Sequence, residues 1–324
     1  MFERMVVPVP FQIGTVNCYR SGRTLVDPGP DSDEAWETLE AGLAEADLTP
    51  GDVEQVLITH PHPDHFGVAG RFRDRGAEVV ASPVGGDIIE AFADRLAHEQ
   101  RHLGPLLVRH GVDPDLAETV VELPEVYLEF APDTPVDRRV GDGERIAVDD
   151  AAVRAEAVAG HAPGELIYTF EGDDGEAAIV GDHVLDPITP NPFLQPPTET
   201  GGPRPRVLPA YNRSLDRLAD RGFVRLLPGH RAVIEEPTHR IRQLRRFHEH
   251  RTEQVYDILD EPMSAAAVMR ELFGHLPATE VFPGMSEAIG HLDVLEERGE
   301  VVRTGDAPVR YERTPGQYDG GRSS

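Results

Sequence analysis

The segment Thr59-His60-Pro61-His62-Pro63-Asp64-His65 places three imidazoles and a carboxylate within six residues. His60 and His62 each precede a proline, which biases both toward extended backbone. In an extended segment, residues two apart project to the same side, so both rings can reach one cation. Asp64 and His65 follow the bend, at the first turn of a helix, and point to a second position. Nitrogen and carboxylate donors of this kind bind divalent metals, zinc above all, and the same set also suits iron or manganese.

One loop cannot complete such a site, so further donors are expected at the ends of other strands. Gly160-His161-Ala162-Pro163-Gly164 follows an apolar run over 153–158. Gly181-Asp182-His183 follows Ala177 to Val180, and Pro228-Gly229-His230 follows Val224 to Leu227. Each is a His or Asp directly after a β-like run, beside a glycine that lets the chain turn sharply. Singly each is compatible with an ordinary turn; in this order, after the first string, they form a consistent donor set.

Strands must carry these loops. Met5 to Phe11, Thr15 to Tyr19 and Thr24 to Val26 read as strands, the last running into Asp27-Pro28-Gly29-Pro30. Asp33 to Ala46 has helical spacing, Val53 to Ile58 is a short strand, a helix is expected from His65 to about Arg75, and Val79 to Ala81 is a strand. Asp87 to Val112 is long and helical in period, and after a proline-spotted passage strands resume at 145–148, 153–158, 166–170 and 177–180. Pro187 to Pro209 is a loop with eight prolines, long enough to be functional. Strands alternating with helices indicate a layered architecture of mixed α and β structure.

The ordered set His60, His62, Asp64, His65, His161, Asp182 and His230 resembles the metallo-β-lactamase superfamily over roughly residues 5 to 236. The resemblance implies an α+β fold, the αββα sandwich, with metals at one edge between two sheets. It implies that His60, His62 and His161 hold one zinc, that Asp64, His65 and His230 hold another, and that Asp182 bridges them. Asp27 matches the family's first motif, a carboxylate that braces the ligands from behind. Two ions about 3.5–4 Å apart can share a hydroxide that attacks a carbonyl or phosphoryl centre. Asp64 would orient that nucleophile and pass its proton to the leaving group.

Residues 237–315 have another texture. Thr238 to Ile258 is an arginine-rich helix, followed by Ser264 to Leu272, Met285 to Glu297, and two short strands around Gly305-Asp306. Helices followed by a hairpin match a small winged-helix domain, and the whole resembles the lactamase-beta-like and glyoxalase II-like subgroup that carries one. The expected organisation is a catalytic domain over 1–236 with a helical insertion at 87–112, a winged-helix domain over 237–315 and a disordered tail over 316–324. The inserted helices and the proline-rich loop depart from the subgroup pattern near the cleft, so substrate identity is not carried over.

Composition narrows the surroundings. The 324 residues hold 31 Arg and no Lys against 58 Asp and Glu, a formal net charge of −27 spread along the chain. Such a surplus suits a halophilic interior where salt screens self-repulsion. Cys18 alone excludes an internal disulfide. The opening Met-Phe-Glu-Arg-Met-Val-Val-Pro lacks the character of a signal peptide and no apolar run spans a membrane, so a cytoplasmic location is expected. The Met285 to Glu297 helix carries Glu287, Asp293, Glu296 and Glu297, which argues against DNA as a partner. Arg240, Arg242, Arg245, Arg246 and Arg251 form the one basic cluster; pairing with carboxylates, or packing on the catalytic domain or a homodimer mate, accounts for it more simply than RNA contact.

The remaining histidines carry less. His248 and His250 do not share a helix face, so no metal is expected there. Packing is the default for His98, His102 and His110, with a substrate lid as the alternative. His183 neighbours a ligand without having to be one, and His239, His275 and His291 read as structural. The leading expectation is a dinuclear metal-dependent hydrolase of a small ester or thioester acyl substrate. RNA as the substrate of a single-strand ribonuclease is the alternative, and a mononuclear iron persulfide dioxygenase a minor one. The absent lysine argues against a grip on glutathione's carboxylates, and the absent export signal against a β-lactamase proper.

Overall fold

The computed structural model describes residues 2–149, 151–197 and 202–315, so the expected tail over 316–324 lies outside the described residues. The contacts divide the chain into two compact units. One comprises residues up to Leu96, Pro124–Pro190 and Ser214–Arg242; the other comprises Ala97–Leu123, Asn191–Arg213 and residues from Gln243 onward.

In the first unit, a six-stranded sheet runs in the order β1 (Glu3–Pro8), β2 (Thr15–Ser21), β3 (Thr24–Val26), β4 (Gln55–Leu57), β5 (Glu78–Ala81) and β6 (Arg138–Arg139). The first three strands pair antiparallel and the last four parallel, sharing β3. Parallel pairing needs crossovers, which helices supply: α1 (Asp33–Ala44), α2 (Pro63–Phe66), α3 (Ala69–Arg73) and α4 (Pro83–Glu90). Ser32 caps α1 through the Ala35 amide, and its apolar stripe Ala35, Trp36, Leu39 and Leu43 packs with Val56, Phe72 and Val79. The helix expected from His65 to Arg75 is two short pieces. Gly67 leaves no room for a side chain, since a Cβ there would lie 2.0 Å from Phe130 O.

A five-stranded sheet runs β11 (Arg225–Pro228), β10 (Gly175–Gly181), β9 (Leu166–Gly172), β8 (Ala151–Ala157) and β7 (Arg145–Val148). β10 and β11 are parallel and the other pairs antiparallel. Tyr19, Val26, Leu57 and Val80 of the first sheet share a core with Ile146, Val153, Tyr168 and Ile179 of the second. Tyr168 Oη also donates across that core to Ile58 O at 2.8 Å. Two sheets face to face, with helices outside, make the expected αββα sandwich.

The second unit gathers most of α5 (Phe92–Arg109), then α6 (Pro114–Glu122), the start of α7 (Val207–Ala219), most of α8 (Pro237–Ile258), α9 (Ala265–Phe273), α10 (Ala278–Glu297), β12 (Val301–Thr304) and β13 (Arg310–Arg313). This division differs from a cut at 236/237. Leu103, Leu107, Val120 and Leu194 share one core with Val255, Val268, Ile289 and Leu292, so the inserted helices complete the apolar interior of the C-terminal ones. No described helix is long and apolar enough to cross a membrane.

Candidate metal centre

The strand β4 ends at Leu57, and the next residues are fixed by a carboxylate on the neighbouring strand end. Asp27 takes the left-handed backbone conformation (φ 52°), which Asp tolerates better than most residues. Its Oδ1 accepts from Thr59 N at 2.8 Å and its Oδ2 from Thr59 Oγ1 at 2.6 Å. With that proton committed, Thr59 Oγ1 accepts from His60 Nδ1 at 3.0 Å, leaving His60 Nε2 as a bare donor atom. His65 Nδ1 donates to Asp27 Oδ2 at 2.9 Å, which leaves His65 Nε2 bare in the same way.

Two groups of donor atoms result. His60 Nε2 and His161 Nε2 each lie 3.1 Å from His62 Nδ1. Ligands about 2.0–2.1 Å from a tetrahedral zinc stand roughly 3.3 Å apart, so this triad has the spacing of a closed half-cage. Asp64, His65 and His230 form a second triad, with Asp64 Oδ2 3.3 Å from His230 Nε2. Asp182 lies between: its Oδ2 is 3.5 Å from His161 Nε2 and 3.3 Å from His230 Nε2, and its Oδ1 is 3.6 Å from His65 Nε2. All seven residues named from the sequence as ligands therefore come together, with Asp27 behind them.

The glycines in these loops are required by crowding. A Cβ at Gly229 would lie 2.5 Å from Asp182 Oδ1, and one at Gly181 would lie 2.5 Å from Thr59 Oγ1. The His230 turn is also held by β2. Asn17 Nδ2 donates to Pro228 O and Arg231 O, Tyr19 Oη donates to Pro228 O, and His230 Nδ1 donates to Thr15 O at 2.5 Å.

Charge within the site sorts the donors. Burial, then the neighbouring imidazoles, pushes the His60 ring well below its ordinary range and the His62 ring down to about 3. Burial opposes the charged forms of Asp64, Asp182, His65 and His230, but mutual attraction outweighs it. Asp64 is lowered to about 2 beside His65 and His230, and Asp182 is held well below the carboxylate range. His65 is raised well above the ordinary imidazole range by Asp182 and Asp27, and His230 is raised to about 10 beside Asp182. His65 Nε2 and Asp182 Oδ1 are buried without a hydrogen bond among the described residues. Buried polar atoms are rarely left so, and cations fit the place these two face.

Residues the sequence reading did not assign support the ligands. Glu165 and His183 are fully buried, with His183 Nδ1 3.0 Å from Glu165 Oε2, and the same oxygen accepts from the His161 amide at 3.3 Å. The only sequence signal was their position, one after a turn glycine and one after a ligand. Arg240 is no surface cation: it is buried and donates to Leu185 O at 2.6 Å and Ile188 O at 2.7 Å. His248 is buried against Asn212 Oδ1 at 2.7 Å, His291 against Thr252 Oγ1 at 2.8 Å, and His110 faces Tyr311 Oη. His98 and His102 stack at 4.2 Å on α5.

Residues 15–230 match the model of the metallo-beta-lactamase superfamily. The chain belongs to that superfamily. Among metallo-β-lactamase relatives, the probable metallo-hydrolase YqjP of Bacillus subtilis is 31% identical over 312 residues, covering 95% of this chain and 96% of that protein. The metallo-beta-lactamase family protein TTHA1429 of Thermus thermophilus superposes with a TM-score of 0.78 at 31% identity, covering 97% of this chain and 98% of the other. A beta-lactamase domain protein from Burkholderia ambifaria superposes with a TM-score of 0.80 at 26% identity, covering 97% and 91%. Superfamily and donor set together make the chain a metal-dependent hydrolase.

Proposed function

We propose that this protein is a dinuclear hydrolase of small ester or thioester acyl substrates. The observation that carries this reading is the position of Asp182, one carboxylate within 3.5 Å of donor nitrogens from both triads. His60, His62 and His161 would hold one divalent ion, zinc being best matched to the donors, and Asp64, His65 and His230 the other, with Asp182 shared. When bound, two such ions supply Lewis acidity and a water acidic enough to act as a nucleophile near neutral pH. Asp64, 3.3 Å from His230 Nε2, would orient the attacking water, take its proton and deliver it to the leaving group. Asp27 and Thr59 keep His65 and His60 in the tautomers that present Nε2. We read α9, α10 and the β12–β13 hairpin as a winged-helix module whose acidic α10 does not suit a phosphate backbone.

Metal analysis combined with a panel of a thioester, a lactone, a phosphodiester and an RNA oligomer tests this. Two ions per chain with turnover of the acyl compounds supports it, and His60→Ala and Asp182→Ala should then lose metal together with activity. Turnover of RNA alone, or a single iron with oxygen consumption, would overturn it.

A further inference from the structure

The triad His60, His62 and His161 is assembled from two segments: His60 and His62 lie in the loop after β4, and His161 lies in the turn between β8 and β9 of the other sheet. The start of α4 touches both. Ser82 caps that helix by accepting from Gly85 N at 2.9 Å, and the same Oγ donates to Gly164 O at 2.5 Å, three residues past His161. One buried hydroxyl is both helix cap and tie to the ligand turn, a double role that a carboxylate cap, lacking a proton, does not fill. The packing is tight on each side. A Cβ at Gly164 (φ 67°) would lie 2.6 Å from Gly85 N and 2.7 Å from Ser82 Oγ. A Cβ at Gly85 would lie 2.9 Å from Ser82 Oγ, 3.7 Å from Gly164 O and 3.9 Å from Cδ of Pro61, the residue between His60 and His62. The helix start is therefore wedged between the two segments that supply the triad. Other bonds hold the base of the turn: Ala159 N donates to Ser214 Oγ at 3.1 Å and Leu166 N to Thr59 O at 2.8 Å. The Ser82 bond holds its tip.

We propose that Ser82 is a positioning residue of the metal centre: by tying Gly164 to the start of α4, it sets the reach of His161 toward His60 and His62. Across this junction His161 Nε2 stands 3.1 Å from His62 Nδ1. Donor atoms already held at ligand spacing need no ordering when a cation binds, whereas a loose turn must be ordered at the expense of affinity. This inference rests on the two-triad reading only for assigning the effect to one position; the tie itself can be read without metal.

The test uses the full chain carrying Ser82→Gly or Ser82→Thr. Glycine caps a helix nearly as well as serine but cannot donate to Gly164 O, so it removes the tie and spares the helix; threonine keeps both bonds. Melting temperatures of both variants should stay within about 2 °C of the wild type. In metal-free protein, hydrogen exchange over residues 161–166 should quicken about tenfold in Ser82→Gly and keep the wild-type rate in Ser82→Thr. Co2+ is then titrated in a His230→Ala background, which leaves the His60/His62/His161 triad whole. There Ser82→Gly should weaken binding about tenfold, and Ser82→Thr should stay within about twofold. In a His62→Ala background, which leaves the Asp64/His65/His230 triad whole, Ser82→Gly should shift Co2+ affinity by less than about twofold. Unchanged exchange in Ser82→Gly would overturn the tie. Quickened exchange with unaltered Co2+ affinity in the His230→Ala background would overturn the positioning role, as would equal losses in both backgrounds. A wild-type chain that binds one Co2+ ion defeats the two-triad reading and leaves the exchange result standing.

Discussion

His65 Nδ1 donates to Asp27 Oδ2 across 2.9 Å in a fully buried contact between two strand-end loops 38 residues apart. That bond selects the tautomer in which Nε2 faces the cation position. Asp27→Asn cannot accept from His65, Thr59 N and Thr59 Oγ1 together. Stepwise titration with Co2+ should show the Asp64/His65/His230 position weakened by about 10–100-fold, and more than the His60/His62/His161 position. Identical titration curves for variant and wild type would refute the role.

Glu165 and His183 sit behind the ligand loops with no exposure to solvent. Glu165→Leu removes one partner of a buried pair and should cost about 3 kcal/mol of stability. The double variant Glu165→Leu/His183→Leu should recover most of that stability, because a packed apolar pair replaces the polar one. It should still bind metal more weakly by about tenfold, since the His161 amide has lost its acceptor. Thermal melts and chelator competition on the same samples check both halves; full metal affinity in the double variant would make the pair merely structural.

Burial pushes the His110 and His248 rings down to about 3, with nearby Arg204 adding to the effect at His110 and His291 at His248. The unfolded chain titrates these groups near 6.5, so between pH 6.5 and 3 it binds protons that the folded chain refuses. Their contribution is therefore present above pH 6.5 and lost as pH falls. Each should cost about 2 kcal/mol between pH 7.5 and 5.0. Urea denaturation at the two pH values, compared between wild type and His110→Gln or His248→Gln, reads the difference; equal pH slopes would contradict it.

A net charge of −27 without lysine should make the melting temperature rise steeply with KCl. The Debye length falls from about 10 Å at 0.1 M to about 3 Å at 1 M, so screening should be nearly complete by about 1 M. Melting in KCl and in an uncharged osmolyte of matched osmolality separates screening from solvent exclusion. A rise equal in both would rule out charge repulsion as the cause.

Much of the centre is legible in the chain alone. Prolines after His60 and His62 impose extended backbone, and strand alternation then puts both rings on one side, so the first triad's core follows from six consecutive residues. The ligands after β8, β10 and β11 are readable because turn glycines mark strand ends. Crowding makes Gly181 and Gly229 irreplaceable, but only the packed structure shows what fills the space.

Other features have no local signature. Asn17 and Tyr19 look like ordinary strand residues, yet they hold the His230 turn through backbone carbonyls more than two hundred residues away. Glu165 and His183 are a pair only because β9 and β10 bring their ends together. Residues 87–112 read as a helical insertion into the catalytic domain, but Leu103, Leu107 and Val112 within it share an apolar core with helices near the C-terminus. Residue type and spacing decide which atoms can ligate and where strands must end, because those depend on neighbours a few bonds away. Which carboxylate stands between the two triads, and which imidazole meets Asp64, depends on side chains packing across distant segments, and that is settled only when the sheets close on each other.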